Sequence, residues 1–160
     1  MENNDILRRL RYALDIKNQE MVEIFKLGGI EISKADIIEM LTKVDEDEEQ
    51  DMIKCNNKMM ESFLNGLIVY KRGVQNNNAG QPAPSTSTES VNNMLLKKVK
   101  IALSLTSDDM MEIFEEARIA ITKSELGAIL RKEGHRNYKE CGDKFARNFL
   151  KGLAIKNREL

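Results

Sequence analysis

The chain has 160 residues, with 25 Lys plus Arg against 26 Asp plus Glu, two Cys, two Pro and no Trp, and its net charge of −1 argues against a uniformly basic nucleic-acid coat. Two cysteines do not make a disulfide scaffold, so a reducing, cytoplasmic setting is expected. The longest apolar stretch, FLNGLIVY (63–70), is interrupted by Asn65 and Gly66 and falls far short of the roughly 20 residues of a membrane span, and MENNDILRRLRYALD lacks the apolar core of a secretory signal.

The first segment places Ile6, Leu7, Leu10, Ala13 and Leu14 at steps of three and four, the spacing of a helix with one apolar face. Asn4 is read as its N-cap. A second helix starts near Asn18, with Glu20 at the positive end of its dipole. It carries Met21, Val22, Ile24 and Phe25 and ends at Gly28-Gly29. Ile30-Glu31-Ile32 alternates in a way compatible with a brief strand. A third helix opens on Ser33-Lys34-Ala35-Asp36, which resembles a capping box. Asp45-Glu46-Asp47-Glu48-Glu49 with Asp51 is not a calcium loop, because Gln50 and Asn56 stand where such a loop needs glycine and glutamate. It reads as a solvated acidic connector. The fourth helix runs from about Asn57 to Arg72 on a stripe of Phe63, Leu64, Leu67 and Ile68. Gly66 sits mid-helix at a cost of about 1 kcal/mol against alanine, which implies that a second backbone comes close there. VQNNNAGQPAPSTSTES (74–90) holds both prolines and reads as a flexible linker.

After the linker the pattern begins again. Residues 3–43 match 92–132 without a gap, with 14 of 41 positions identical, including Asn3-Asn4 on Asn92-Asn93 and Ile24-Phe25 on Ile113-Phe114. The match resumes three residues out of step, with Cys55 on Cys141 and FLNGL (63–67) on FLKGL (149–153). In the second copy Asn93 is read as the first N-cap, Thr122-Lys123-Ser124-Glu125 as the capping box, Ile119-Ala120-Ile121 as the extended piece, and Asp143 to Arg158 as the last helix. The expected fold is all-α, a tandem repeat of two similar four-helix units packed with pseudo-twofold symmetry. Unit 1 is 1–73, the linker 74–90 and unit 2 91–160. Units this small have marginal cores alone, so the copies are expected to pack on each other.

GHRNYKECGDKFARNFLKGL (134–153), ALSLTSDDMMEIF (102–114) and NNDILRRLRYAL (3–14) resemble the YehS-like family of duplicated bacterial proteins, a domain of unknown function. The resemblance covers nearly the whole chain outside the linker. It implies a bacterial, cytoplasmic protein and two repeats, and it brings no activity, substrate or catalytic residue with it.

The rarer chemical groups gather at His135, Arg136, Asn137, Tyr138, Cys141, Gly142 and Asp143. One reading is a nucleophile pair, Cys141 activated by His135 and by its place at a helix start. Against it, Cys55 has no histidine nearby, and matched small apolar residues suit burial. One His and two Cys 86 residues apart do not make a metal site, and no glycine-rich phosphate loop is present, so no cofactor is expected. The charge is uneven: residues 1–73 hold 11 basic and 15 acidic side chains, residues 91–160 hold 14 and 10. Lys144, Arg147, Lys151 and Arg158 fall within about 60° on the last helix, with Arg131, Lys132, His135, Arg136 and Tyr138 just upstream. These nine residues are the candidate binding surface. Arg8/Arg9/Arg11 and Lys97/Lys98/Lys100 form a second, repeated basic set. The leading expectation is a non-enzymatic module that binds a protein partner or itself. The alternative is a DNA- or RNA-binding protein using the basic face of the second repeat.

Overall fold

The structure, a computed structural model, describes residues 2–42, 53–73 and 89–158. The acidic run 45–51 and residues 74–88 of the linker lie outside the described residues. The described residues form eight helices: α1 (Asn3–Leu14), α2 (Asn18–Leu27), α3 (Lys34–Leu41), α4 (Asn57–Arg72), α5 (Val91–Ala102), α6 (Ser107–Glu116), α7 (Lys123–Leu130) and α8 (Asp143–Arg158). Helices α1–α4 are the first repeat and α5–α8 the second. Equivalent helices have equal lengths of 12, 10, 8 and 16 residues.

Local chemistry sets most helix ends. Ser33 Oγ accepts from Asp36 N at 3.0 Å, and Thr122 and Glu125 exchange bonds of 3.0 and 3.1 Å as a capping box. Thr106 and Asp109 do the same at α6. Past α2, Gly29 takes φ +96°, and its equivalent Arg118 past α6 takes φ +59°. Two expectations need correction. Asn4 and Asn93 do not cap their helices: Glu2 and Ser90 hold the cap positions, and both asparagines are buried within the first turn. The segments 30–32 and 119–121 form no strand. Their isoleucines pack onto the helical core instead, so apolar alternation is satisfied without a ladder partner.

Within each repeat the second helix lies against the fourth at backbone distance. A Cβ on Gly66 would stand 1.9 Å from the Ile24 carbonyl oxygen, and one on Gly152 1.9 Å from that of Ile113. Phe25 and Phe63 fill the α2/α4 seam with ring centroids 5.0 Å apart, and Phe114 and Phe149 fill α6/α8 at 5.9 Å.

The first helix of each repeat makes its main contact with the fourth helix of the other: α1 with α8, and α5 with α4. Swapping the repeats exchanges these two pairs, which is the expected pseudo-twofold. The same hydrogen bond marks both. Arg158 Nη1 donates to the Tyr12 carbonyl at 2.9 Å, and its equivalent Arg72 Nη1 donates to the Ile101 carbonyl at 3.4 Å. The C-terminal ends of paired helices therefore meet, and each pair runs parallel. The buried residues form one cluster drawn from all eight helices. A unit of about 70 residues buries too small a fraction of its surface to be robust, and a shared core is the physical remedy.

Candidate functional site

Parallel pairing of α1 with α8 brings together two basic sets from opposite ends of the chain. Arg8 and Arg9 form one wall of a groove of about 440 Å³, and Lys151 and Arg158 form the other. Tyr12, Leu150, Ala154 and Ile155 line the floor between them. The walls are partly neutralised. Arg9 Nε donates to Asp5 at 3.0 Å, Arg8 stands 3.6 Å from the same carboxylate, and Arg158 stands 3.3 Å from Asp15. The Arg158 guanidinium lies 4.2 Å from the centroid of the Tyr12 ring, which is 60% exposed. Four cations against two carboxylates leave a net of two positive charges over an apolar floor. Beyond Lys151, α6 presents Glu112, Glu115 and Glu116.

Of the nine residues expected from sequence, the groove takes in Lys151 and Arg158. Lys144 and Arg147 are exposed on earlier turns of α8. Arg131, Lys132, His135 and Arg136 are exposed between α7 and α8, where the Asn137 backbone N–H donates to His135 Nδ1 at 3.0 Å. Tyr138 leans on α5, its ring centroid 5.3 Å from Lys97 Nζ. Burial and the carboxylates of Glu89, Glu133 and Glu140 push its phenol up to about 12. Arg11 turns away to the Ile16 carbonyl at 3.0 Å. Sequence reasoning missed Tyr12. Its 60% exposure on a helix otherwise packed into the fold was the signal, and only the structure supplies it.

The Cys141–His135 nucleophile reading is overturned. Cys141 is buried, its thiol donating to the Gly142 carbonyl at 3.5 Å, and burial pushes it up to about 12 rather than down. Cys55 behaves alike. Both cysteines serve one repeated clasp. Asn93 Nδ2 donates to the Ile129 and Lys139 carbonyls at 3.0 Å each, and its Oδ1 accepts from Cys141 N at 2.8 Å. Asn4 makes the same three bonds to Met40, Ile53 and Cys55 at 3.0, 2.8 and 2.9 Å. Asn3 and Asn92 add bonds to the cysteine carbonyls at 3.0 and 3.1 Å. The Asn-Asn doublet thus pins the third helix and the start of the fourth to the first. No group of three metal-ligating side chains occurs among the described residues.

The symmetry-related α5/α4 pair is crossed by a lysine. Lys98 Nζ donates across it to Asn65 Oδ1 at 2.6 Å, and Lys97 is ion-paired with Glu89, a carboxylate only 9% exposed. Glu61 is buried beside them. Burial pulls the Lys98 ammonium below its ordinary value, while Glu61 and Glu89 oppose that pull. Lys151 and Tyr12 are replaced here by Asn65 and Ile101.

Two four-helix repeats whose first helices pair with each other's fourth around one core define a duplicated all-α protein. The chain belongs to the family described as protein of unknown function DUF1456, whose model matches residues 3–73 and 92–159. It is 40% identical over 156 residues to the uncharacterized protein YehS of Escherichia coli (strain K12), covering 98% of this chain and 96% of that protein. No solved structure matches it. No helix among the described residues is long and apolar enough to cross a membrane.

Proposed function

We propose that the chain is a non-enzymatic protein-interaction module that presents the α1/α8 groove to a partner. The observation that carries this reading is the asymmetry between equivalent sites. On one side of the pseudo-twofold four cations line a groove with an apolar floor, crossed at its end by Arg158, while on the other Lys98 is hydrogen-bonded across to Asn65 and Lys97 is ion-paired with Glu89. The row of charges along α8 also supports a second reading, nucleic-acid binding, because Lys144 and Arg147 continue the stripe beyond the groove. Two considerations weigh against it. Asp5 and Asp15 already occupy three of the cations, and beside the stripe α6 adds Glu115 and Glu116, with Glu112 paired to Lys156. Phosphate-backbone affinity grows with the number of contacts, and this face offers few.

The test gives the open groove its counterpart's residues, Tyr12→Ile with Lys151→Asn. Protein captured from nuclease-treated native lysate by the unaltered chain and lost from the double variant supports the first reading. Equal capture by both overturns it. Retention of nucleic acid that disappears on Lys144→Glu with Arg147→Glu, without differential protein capture, replaces it with the second.

A further inference from the structure

We infer that the occupant of the α1/α8 groove is a short, acidic, amphipathic helix of a partner protein. This inference rests on the groove being the interaction site, and it adds the chemistry of what binds there.

Three features of the groove define the ligand. First, the cations stand on both walls, Arg8 and Arg9 facing Lys151 and Arg158 across Leu150, Ala154 and Ile155. A complementary ligand has an apolar stripe with carboxylates on both flanks, which is the cross-section of an amphipathic helix laid in a groove. Second, the α8 wall from Leu150 to Arg158 rises about 12 Å at 1.5 Å per residue. That length matches about two turns of a ligand helix, with anchors at i, i+4 and i+7. Third, the net of two positive charges suits a ligand bringing two or three carboxylates. A long polyanion leaving the groove past Lys151 meets Glu115 and Glu116 together with Arg118 and the Lys156–Glu112 pair at 2.7 Å, so that side offers it no net positive charge. Tyr12 is the natural anchor point for an apolar side chain, its exposed ring held by Arg158 from one side.

The probe is a labelled synthetic peptide of about three helical turns, with leucines at i, i+4 and i+7 and flanking glutamates. Three comparisons accompany it: the peptide with serine for leucine, the peptide with lysine for glutamate, and a single-stranded oligonucleotide of equal charge. Binding to the full chain is read by fluorescence anisotropy at low salt. The acidic amphipathic peptide is expected to bind, and each of the three comparisons to bind about tenfold or more weakly. Lys151→Glu is expected to weaken binding by about tenfold, and Lys132→Glu, an equal charge change outside the groove, to leave it unaltered. Helical circular dichroism of each variant confirms the fold. Absence of peptide binding, equal binding of the serine peptide, or tighter binding of the oligonucleotide overturns the inference. If the peptide fails while the Tyr12/Lys151 double variant still loses its captured protein, the inference falls and the interaction reading stands. If capture is also indifferent to that variant, both fall.

Discussion

In the α5/α4 pair, Lys98 reaches across to Asn65 on the opposing helix, with buried Glu61 beside it. In the α1/α8 pair, the equivalent Arg9 turns back to Asp5, one turn earlier on its own helix. The carboxylate has changed sides: Met94 stands where the first repeat has Asp5, and Arg147 stands where the first repeat has Glu61. A carboxylate on the far wall favours the cation on that side, where Lys98 is held by the Asn65 amide oxygen. A counterion on the same wall holds the cation at the rim. An i,i+4 pair of this kind is worth only about 0.3–0.5 kcal/mol, so its consequence here is geometric rather than energetic. These charge placements, with Tyr12 and Lys151 against Ile101 and Asn65, distinguish two seams built on one backbone arrangement.

The deepest difference between the repeats lies under these grooves, and it gives the largest expected effect. Gly28 and Gly66 both lack room for a side chain in the first repeat, where a Cβ on Gly28 would meet the Ser62 carbonyl oxygen at 1.8 Å. In the second repeat only Gly152 is so confined, because Ala117 replaces the first glycine. Gly66→Ala and Gly152→Ala are each expected to cost about 3 kcal/mol or more in denaturant unfolding, since rigid backbone is what must move. Gly28→Ala should cost as much, whereas Ala117→Gly should cost at most about 1 kcal/mol. A neutral Gly28→Ala would break the distinction between the α2/α4 and α6/α8 seams.

The asparagine clasp is where the repeats should behave alike. Asn4→Ala and Asn93→Ala each remove the same three clasp bonds and leave two carbonyls and one N–H without them, and Asn93→Ala also removes the bond from the Ser90 hydroxyl at 2.6 Å. At about 1 kcal/mol per bond, each is expected to lower the unfolding free energy by about 2–3 kcal/mol. Losses that differ by more than about 1 kcal/mol would show that the two clasps are not energetically equivalent.

These same residues show what the sequence could and could not reveal. Helix ends were legible at Ser33, Thr122 and Gly28-Gly29, because capping is decided within four residues. Gly66 and Gly152 were legible as close approaches, because a mid-helix glycine has a cost that packing must offset. Asn4 and Asn93 were misread, because an asparagine near a helix start satisfies local capping rules and its buried partners lie 36 or more residues away. The groove itself was half legible. The α8 stripe was visible as a 60° arc, but its facing wall was not. In a duplicated chain α1 has two nearly identical fourth helices to choose from, and periodicity does not distinguish its own from the other's. Cys141 was placed at a helix start, yet burial governs its thiol, and burial is a property of the whole fold.

The smallest expected effect separates the repeats by pH. Glu20 is held below its ordinary value of 4.5 by the hydrogen bond from Tyr70 on α4, at 2.6 Å, and by the Lys17 N–H. Its equivalent Asp109 is held below 3.8, and Glu125 below 4.5, by the N–H groups and hydroxyls of their capping threonines. A carboxylate depressed in the folded state stabilises it at pH above the ordinary value, and that contribution is lost as pH falls through the depressed one. The melting temperature is therefore expected to hold at pH above 4.5 and to decline below it. Glu20→Gln should flatten that decline more than Asp109→Asn, because only Glu20 also ties its helix to α4. An equal response from the two variants would remove the Tyr70 link as a distinguishing feature.

The exchange of first helices between repeats has an evolutionary corollary. If two separate, identical subunits were joined in this way, every substitution at the seam would appear twice, and a change opening one groove would open both. Covalent fusion lifts that constraint. The two seams are then free to differ, as they do at Asp5, Tyr12, Arg147 and Lys151 against Met94, Ile101, Glu61 and Asn65. Duplication here supplies more than a larger core: both seams hold the repeats together, and fusion lets each carry its own side chains.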